Sequence, residues 1–333
     1  MRIAVLGAGG WGTALANHLA LLGHDVGLWA RDPALVRDMI ARRANAVYLP
    51  DVVLLPSVKP TASLEEALAG AELVVCAVPS HGVRAVVRSA RPLIPRGVTV
   101  VSATKGLETD SLQRISELLE HELTSVHPVV VLSGPSFAAE LARKMPTAVC
   151  VASRDAEAAA RVQAELRSPY LRLYASADVV GVEIGGAMKN VIAIAAGVVE
   201  GLGLGQNALA ALVTRGLAEI TRLACALGGC RETLSGLSGL GDLVLTCTGT
   251  LSRNRHVGVE LARDRPLPEI LGGMKMVAEG VRTTGAALAL GARHDVELPI
   301  TTQMSAVLEG QKKPGAALID LMLRPQKAEA DAG

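Results

Sequence analysis

The stretch Arg2-Ile3-Ala4-Val5-Leu6-Gly7-Ala8-Gly9-Gly10-Trp11-Gly12-Thr13-Ala14-Leu15-Ala16 decides how the first half of this chain folds. Residues 3–6 form a short apolar run without polar alternation, the pattern of a strand buried on both faces. Residues 13–22 have helical spacing. Between them stand Gly7, Gly9 and Gly12 in GxGxxG order. Gly7 permits a tight turn, Gly9 lets the backbone approach a pyrophosphate, and Gly12 lets the helix pack against the strand, with the helix N-terminus facing the anion. In this strand–turn–helix setting the motif predicts a dinucleotide loop; the competing reading is a glycine-rich turn without a ligand.

Outward from this loop, apolar runs recur at 25–29, 73–78, 98–102, 129–133, 148–152 and 171–174, alternating with helical patterns such as 112–119. They predict an α/β domain, a doubly wound parallel sheet covered by helices, over residues 1–177. After Asp178 convincing strands disappear. Helical Ala/Leu/Val segments at 180–199, 208–227, 283–290, 301–308 and 315–323 predict an all-helical domain over 178–333. The charged, Ala-rich tail beyond Arg324 is expected to fray.

Composition excludes several classes. The chain has 333 residues, of which 50% are hydrophobic and 2% aromatic, with net charge +1. So much apolar content excludes disorder as the dominant state. The scarcity of rings argues against base stacking, and the near-neutral charge argues against a nucleic-acid or anionic-membrane partner. Cysteines 76, 150, 225, 230 and 247 form no zinc-type spacing, so no metal is expected. Cys76 and Cys150 read as buried thiols, and the pattern suits a reducing cytoplasm. Met1-Arg2-Ile3 does not begin a signal peptide, and the apolar stretch from Val179 is broken by Glu183, Lys189 and Asn190, which predicts no membrane span.

In open α/β sheets ligands bind beyond the carboxyl ends of strands. Three loops qualify besides the first: Val78-Pro79-Ser80-His81, Ser102-Ala103-Thr104-Lys105-Gly106 and Ser133-Gly134-Pro135-Ser136-Phe137. Lys105 is a candidate oxyanion or phosphate contact, or else a solvated lysine; His81 reads as a loop residue. At the end of the second strand Arg31 suits the extra phosphate of NADP or the adenine face, and Asp32 suits either ribose hydroxyls or a helix N-cap before Pro33. Trp11, Trp29 and Phe137, three of the six rings, fall in or beside these loops.

In the second half, Gly185-Gly186-Ala187-Met188-Lys189-Asn190-Val191 places a lysine in an apolar helix. Two adjacent helical glycines cost about 2 kcal/mol relative to alanine; close approach to another backbone or a cofactor would offset that. A lysine drawn out of water releases its proton more readily, which suits proton transfer; alternatively it snorkels to the surface. Asp242, in the glycine-bracketed turn Ser238-Gly239-Leu240-Gly241-Asp242, is its candidate partner. Ser252, Arg253 and Asn254 present hydroxyl, guanidinium and amide donors that suit a phosphate. Arg253, Arg255, Arg263 and Arg265 read alternatively as a basic or solvated face.

Taken together, GAGGWGTALA from Gly7, NAVYLP from Asn45, ATKGLE from Ala103, SGPSFAAE from Ser133, GGAMKNVIAIAAG from Gly185, LSGLGDLVLTC from Leu237, SRNR from Ser252 and VAEGVRTT from Val277 run in one order. In these segments the chain resembles the bacterial-type NAD(P)-dependent glycerol-3-phosphate dehydrogenases over essentially its whole length. The resemblance implies a Rossmann-type doubly wound sheet followed by an all-helical C-terminal domain, a homodimer, NAD or NADP as cofactor, and reduction of a small phosphorylated substrate, dihydroxyacetone phosphate, to sn-glycerol 3-phosphate for glycerophospholipid synthesis. It implies dinucleotide contacts from Gly7, Gly9, Gly10, Trp11, Gly12, Arg31, Lys105, Ala138, Arg253, Val277 and Glu279. It implies substrate contacts from Lys105, Gly134, Ser136, Asp242, Ser252, Arg253 and Asn254, with Lys189 as proton donor and acceptor beside Asp242. Gly10 departs from the serine common at that position, and Asp32 from a frequent basic residue. A dehydrogenase of another small hydroxy acid or sugar derivative, or a non-catalytic cofactor sensor, are the alternative readings.

Overall fold

The computed structural model describes residues 1–124, 126–326 and 328. Most of the tail expected to fray therefore lies outside the described residues. The chain divides into two compact units, Met1–Lys105 with Ile115–Val179, and Gly106–Arg114 with Val180–Gly333.

The first unit holds the strands β1 (Arg2–Leu6), β2 (Asp25–Trp29), β3 (Ala44–Asn45), β4 (Leu49–Val53), β5 (Val58–Thr61), β6 (Leu73–Cys76), β7 (Thr99–Ser102), β8 (Val129–Ser133), β9 (Thr147–Ala152) and β10 (Leu171–Ser176). Eight of them form one sheet in the order β10-β9-β8-β7-β6-β1-β2-β5. The chain runs outward from β1 to β5, then returns to β6 on the other side of β1. The β1/β6 junction is therefore the switch point where such sheets open a ligand crevice. Along β1 the burial explains the unbroken apolar run: Ile3 and Val5 enter one core with Leu15 and Leu19, while Ala4 and Leu6 enter another with Leu118 and Leu119.

Three details depart from the sequence expectations. β9 pairs antiparallel with β8, so β9 and β10, parallel to each other, run against the rest of the sheet; β10 alternates buried and exposed residues over Leu171–Tyr174, as an edge strand with one solvated face does. β5 went unrecognised because Lys59 and Pro60 interrupt its pattern, and an edge position tolerates both. The helix expected over 112–119 begins only at Ile115, because Leu112 adopts φ 63°.

The second unit has helices only, among the described residues. Gly106–Arg114 belongs to it, not to the domain ending at 177: Leu107 is buried in its core with Ile184 and Met188, and Arg114 pairs with Glu183 at 2.6 Å. Its central helix, Val179–Gly201, is long and apolar enough to cross a membrane, yet 94% of its most apolar stretch is buried within the protein. The glycines explain how neighbours come so close. A Cβ on Gly197 would lie 1.9 Å from the Arg255 carbonyl, and one on Gly258 equally close to that of Ile194, so Val179–Gly201 crosses Arg253–Ala262 backbone to backbone. A Cβ on Gly185 would lie 2.5 Å from the Ser238 carbonyl; this approach draws the segment ahead of Asp242 onto the same helix. Glu219, fully buried, accepts from the Ile300 and Thr301 amides at 2.8 and 2.9 Å and so caps the helix Pro299–Leu308. Burial raises its pKa, an effect those hydrogen bonds oppose.

Candidate active site

In the first unit the candidate residues lie on loops that follow β1, β2, β6, β7 and β8, strands that all run parallel. Gly7 has φ 110°, and a Cβ there would meet the Ala77 carbonyl at 2.8 Å. On Gly12 a Cβ would sit 1.9 Å from the Gly7 carbonyl, whereas on Gly9 it would meet nothing within 4 Å. Gly7 and Gly12 are thus demanded by the protein itself, and Gly9 opens onto free space. The helix Gly10–Leu21 starts without a side-chain cap, which leaves its amide dipoles for an anion. The Trp11 indole Nε1 is buried with no acceptor within the protein. Open space at Gly9, an uncapped helix end and an orphaned donor together fit a dinucleotide pyrophosphate.

Asn45 supports this loop, and sequence reasoning assigned it no role. It is fully buried, and its amide donates to the Ala8 carbonyl and the Thr13 hydroxyl, both at 2.8 Å. A buried asparagine has to satisfy its amide, and here doing so braces the glycine turn. Asp32 acts as an N-cap: its Oδ1 accepts from the Ala34 amide at 2.8 Å, while Arg31 is exposed. Beyond β7, Lys105 Nζ donates to the Gly134 carbonyl at 2.7 Å and to Ser136 Oγ at 3.3 Å, so three predicted substrate residues meet. Gly134, at φ 137°, packs against Val149. Ala138 opens the next helix, Ala138–Ala142. His81 is exposed on a short turn.

In the second unit Lys189 does not snorkel. It is 6% exposed, and its ammonium donates to Asp242 Oδ1 and Thr246 Oγ1, each at 2.7 Å. Asp242 is not in a loop turn; it opens the helix Asp242–Thr248 after a π-helical turn, Leu237–Gly241. Thr246, one helical turn on, therefore faces the same lysine, and its hydroxyl donates to the Asp242 carbonyl at 2.6 Å. The i,i+4 spacing was the available signal, hidden because no helix was expected there. Beside them the Cys247 thiol is pushed up to about 12 by burial, so it stays protonated and is no nucleophile. Cys76 is buried as expected, with its pKa raised by burial; Cys150 is only half-buried.

Ser252 caps the helix Arg253–Ala262 by accepting from the Arg255 amide at 3.2 Å. Arg253 donates to the Val277 carbonyl at 2.8 Å and feels the charge of Glu279, so these three predicted dinucleotide residues come together. Asn254 is buried; it donates to Asn190 Oδ1 at 2.9 Å and accepts from the Gly280 amide at 3.0 Å. That ties it to the residue after Lys189. The proposed basic face is largely neutralised, since Arg255 pairs with Glu200 and both Arg263 and Arg265 pair with Glu260. Among the described residues no group of three or more His, Cys, Asp or Glu side chains could hold a metal.

A dinucleotide loop at a sheet switch point, with a helical unit carrying a buried Lys–Asp–Thr cluster, defines the class of two-domain nicotinamide-dependent dehydrogenases. Family models described as NAD-dependent glycerol-3-phosphate dehydrogenase N-terminus and C-terminus match residues 2–159 and 178–319. The chain belongs to the NAD-dependent glycerol-3-phosphate dehydrogenase family. It is 52% identical to the glycerol-3-phosphate dehydrogenase (NAD(P)+) of Koribacter versatilis, over 98% of each chain. It is equally similar to that of Myxococcus xanthus, over 99% of each. The crystal structure of glycerol-3-phosphate dehydrogenase from Coxiella burnetii superposes with a TM-score of 0.94 at 39% identity, covering 97% of this chain and 99% of that one. A ketopantoate reductase from Ralstonia eutropha, at 16% identity and TM-score 0.62, shares the fold alone.

Proposed function

We propose that the protein reduces dihydroxyacetone phosphate to sn-glycerol 3-phosphate with NADH or NADPH, and so supplies backbones for glycerophospholipids. The observation that carries the chemistry is the buried Lys189 ammonium held by Asp242 and Thr246. When bound, the reduced nicotinamide supplies a hydride to the ketone carbon. Lys189 gives its proton to the carbonyl oxygen and regains one from solvent. Asp242 and Thr246 orient the ammonium, and the Asp242 carboxylate preserves its charge in a dry setting. The first unit would hold the dinucleotide: the amides of Gly9, Gly10 and Gly12 would serve the pyrophosphate, while Gly7 shapes the turn and its own amide donates to the Trp29 carbonyl at 3.0 Å; Trp11, Arg31, Ala138, Val277 and Glu279 are assigned as further cofactor contacts. Lys105, Gly134, Ser136, Ser252, Arg253 and Asn254 hold the phosphorylated substrate, whose remote phosphate supplies binding energy that positions the carbonyl.

Initial velocities with dihydroxyacetone phosphate against each reduced cofactor test this reading; oxidation of neither cofactor would leave the sensor. Arg253→Ala is expected to raise KM for dihydroxyacetone phosphate by about tenfold or more, because a charge-assisted contact contributes about 1.5–3 kcal/mol. An unchanged KM would remove Arg253 from phosphate binding.

We also assign a homodimer and a cytoplasmic setting. The helix Pro314–Met322 is apolar but buries only Ala317, and Ile319, Met322 and Leu323 are 58%, 76% and 77% exposed. Beside it runs a groove of about 1040 Å³ lined by residues such as Leu204, Leu212, Met304, Leu318 and Leu321. Arg215 and Arg222 share the groove with Asp295 and Glu297, a mixed charge that suits a self-complementary two-fold contact. Sedimentation equilibrium should give about twice the 34.4 kDa chain mass, and Ile319→Lys with Met322→Lys should restore the monomer. All five cysteines are free, which fits a reducing compartment.

A further inference from the structure

Asn45 lies 37 residues along the chain from Ala8, yet its side chain ends on the glycine turn. Besides its two bonds to the Ala8 carbonyl and Thr13 Oγ1, its Oδ1 accepts from the Tyr48 amide at 3.1 Å. All three bonds lie inside the first unit. With both amide protons and the oxygen engaged in a buried site, the side chain has one orientation. The segment that carries it is anchored separately. One helical turn after Thr13, Asn17 donates to the Val53 carbonyl at 3.2 Å and accepts from the Leu55 amide at 2.9 Å. Arg43 donates to the carbonyls of Leu54 and Val58 at 3.0 and 3.2 Å. Thr13 and Asn17 share one face of the helix Gly10–Leu21, and that face is stitched to the chain between Arg43 and Val58.

We propose that Asn45 is a positioning residue for the cofactor, setting the direction of the Gly9 amide through the Ala8 carbonyl. The proposal rests on the dinucleotide reading of this loop. The Ala8 carbonyl and the Gly9 N–H belong to one planar trans peptide, so they point in opposite directions. Asn45 holds the carbonyl on the buried side, which turns the N–H away from the core. Among the described residues the Gly9 amide has no acceptor, and a Cβ at Gly9 would meet nothing within 4 Å. The peptide needs an outside tie. Glycine gives a ligand room to approach, but it also leaves the peptide plane free to rotate. An amide that must be turned on binding loses affinity to the cost of ordering it, and one already aimed does not. The second Asn45 bond has a different effect: it ties the side chain to the Thr13 hydroxyl and touches no amide of the turn.

The test measures NADPH dissociation constants and melting temperatures of the full chain in two variants. Asn45→Asp keeps the shape and still accepts from the Tyr48 amide and the Thr13 hydroxyl, but it sets an acceptor against the Ala8 carbonyl. Expected is an NADPH dissociation constant raised about tenfold or more, with kcat at saturating NADPH within about threefold of wild type. Thr13→Val removes the other Asn45 bond and leaves the one to Ala8. It is expected to lower the melting temperature and to keep the dissociation constant within about twofold. A purely structural Asn45 would lower the melting temperature in both variants and leave both dissociation constants within about twofold, which overturns the proposal. Equal weakening of NADPH binding in both variants also overturns it, because the Ala8 bond would then have no special part. If Asn45→Asp does not fold, Asn45→Ser decides. Its short hydroxyl does not reach the Ala8 carbonyl, so the dissociation constant should rise about fivefold or more at unchanged circular dichroism. A wild-type value overturns the proposal, and so does failure of both variants to fold, which would make Asn45 a residue of the fold alone. A wild type that binds neither NADPH nor NADH overturns the dinucleotide reading itself, and this inference with it.

Discussion

Lys189→Ala should lower turnover of dihydroxyacetone phosphate by about 10²–10⁴-fold, the span that a positioned general acid contributes. Two effects add in this variant. The carbonyl oxygen loses its proton donor, and Asp242, 0% exposed, loses its counter-charge. A buried carboxylate left alone destabilises by about 3–5 kcal/mol, so a fall in activity with alanine could reflect the fold. Lys189→Arg separates the two. Arginine keeps the positive charge against Asp242 and Thr246 but does not release a proton in the working pH range. The arginine variant should melt close to wild type and bind NADPH normally, measured by fluorescence titration, while turnover stays at least about 100-fold down. Near-normal turnover in the folded arginine variant would mean that Lys189 serves as charge alone and the proton comes from elsewhere.

Gly12→Ala is the second large effect. The added methyl would lie 1.9 Å from the Gly7 carbonyl and 3.2 Å from the Ala77 side chain. The first contact is with backbone, so no rotamer relieves it. Either the helix Gly10–Leu21 moves off β1, or the turn opens. Overpacking of this kind costs about 1–3 kcal/mol and more where backbone must shift. Expected are a clear fall in melting temperature and an NADPH affinity weakened about 100-fold or more, because the amides that face the pyrophosphate move with the turn. Gly9→Ala is the informative control. Its methyl would meet nothing within 4 Å of the protein itself. It should therefore melt like wild type and still bind NADPH poorly, since the space it fills is the space assigned to the ligand. Equal loss of stability in both variants would show that Gly9 serves the fold, and normal binding by Gly9→Ala would move the pyrophosphate off this loop.

How much could be read from the chain depended on how local the cause was. The β1 strand, the glycine turn and the start of its helix were legible because their signals, an apolar run, the GxGxxG spacing and helical periodicity, lie together between Arg2 and Ala16. So were the five long helical segments of the second half. β5 was not legible, because its assignment depends on an edge position and not on its own Val58-Lys59-Pro60-Thr61 pattern. The direction of β9 and β10 was not legible either, since Val and Leu runs pair in both senses. In the site, Lys189 and Asp242 were named, but a lysine snorkelling to the surface stood as the alternative.

Local pattern in the chain was enough for the class of the first half, the dinucleotide loop and the list of candidate side chains, because backbone freedom at glycine and apolar periodicity act over short spans. Through family likeness the sequence also determined the substrate. It took the folded chain to show that Thr246 joins Lys189 and Asp242, that Asn45 braces the glycine turn, and that Gly106–Arg114 belongs with the helices. Each of these is a hydrogen bond or close packing that closes through the folded chain. Its energy depends on the burial and on the partner that folding supplies.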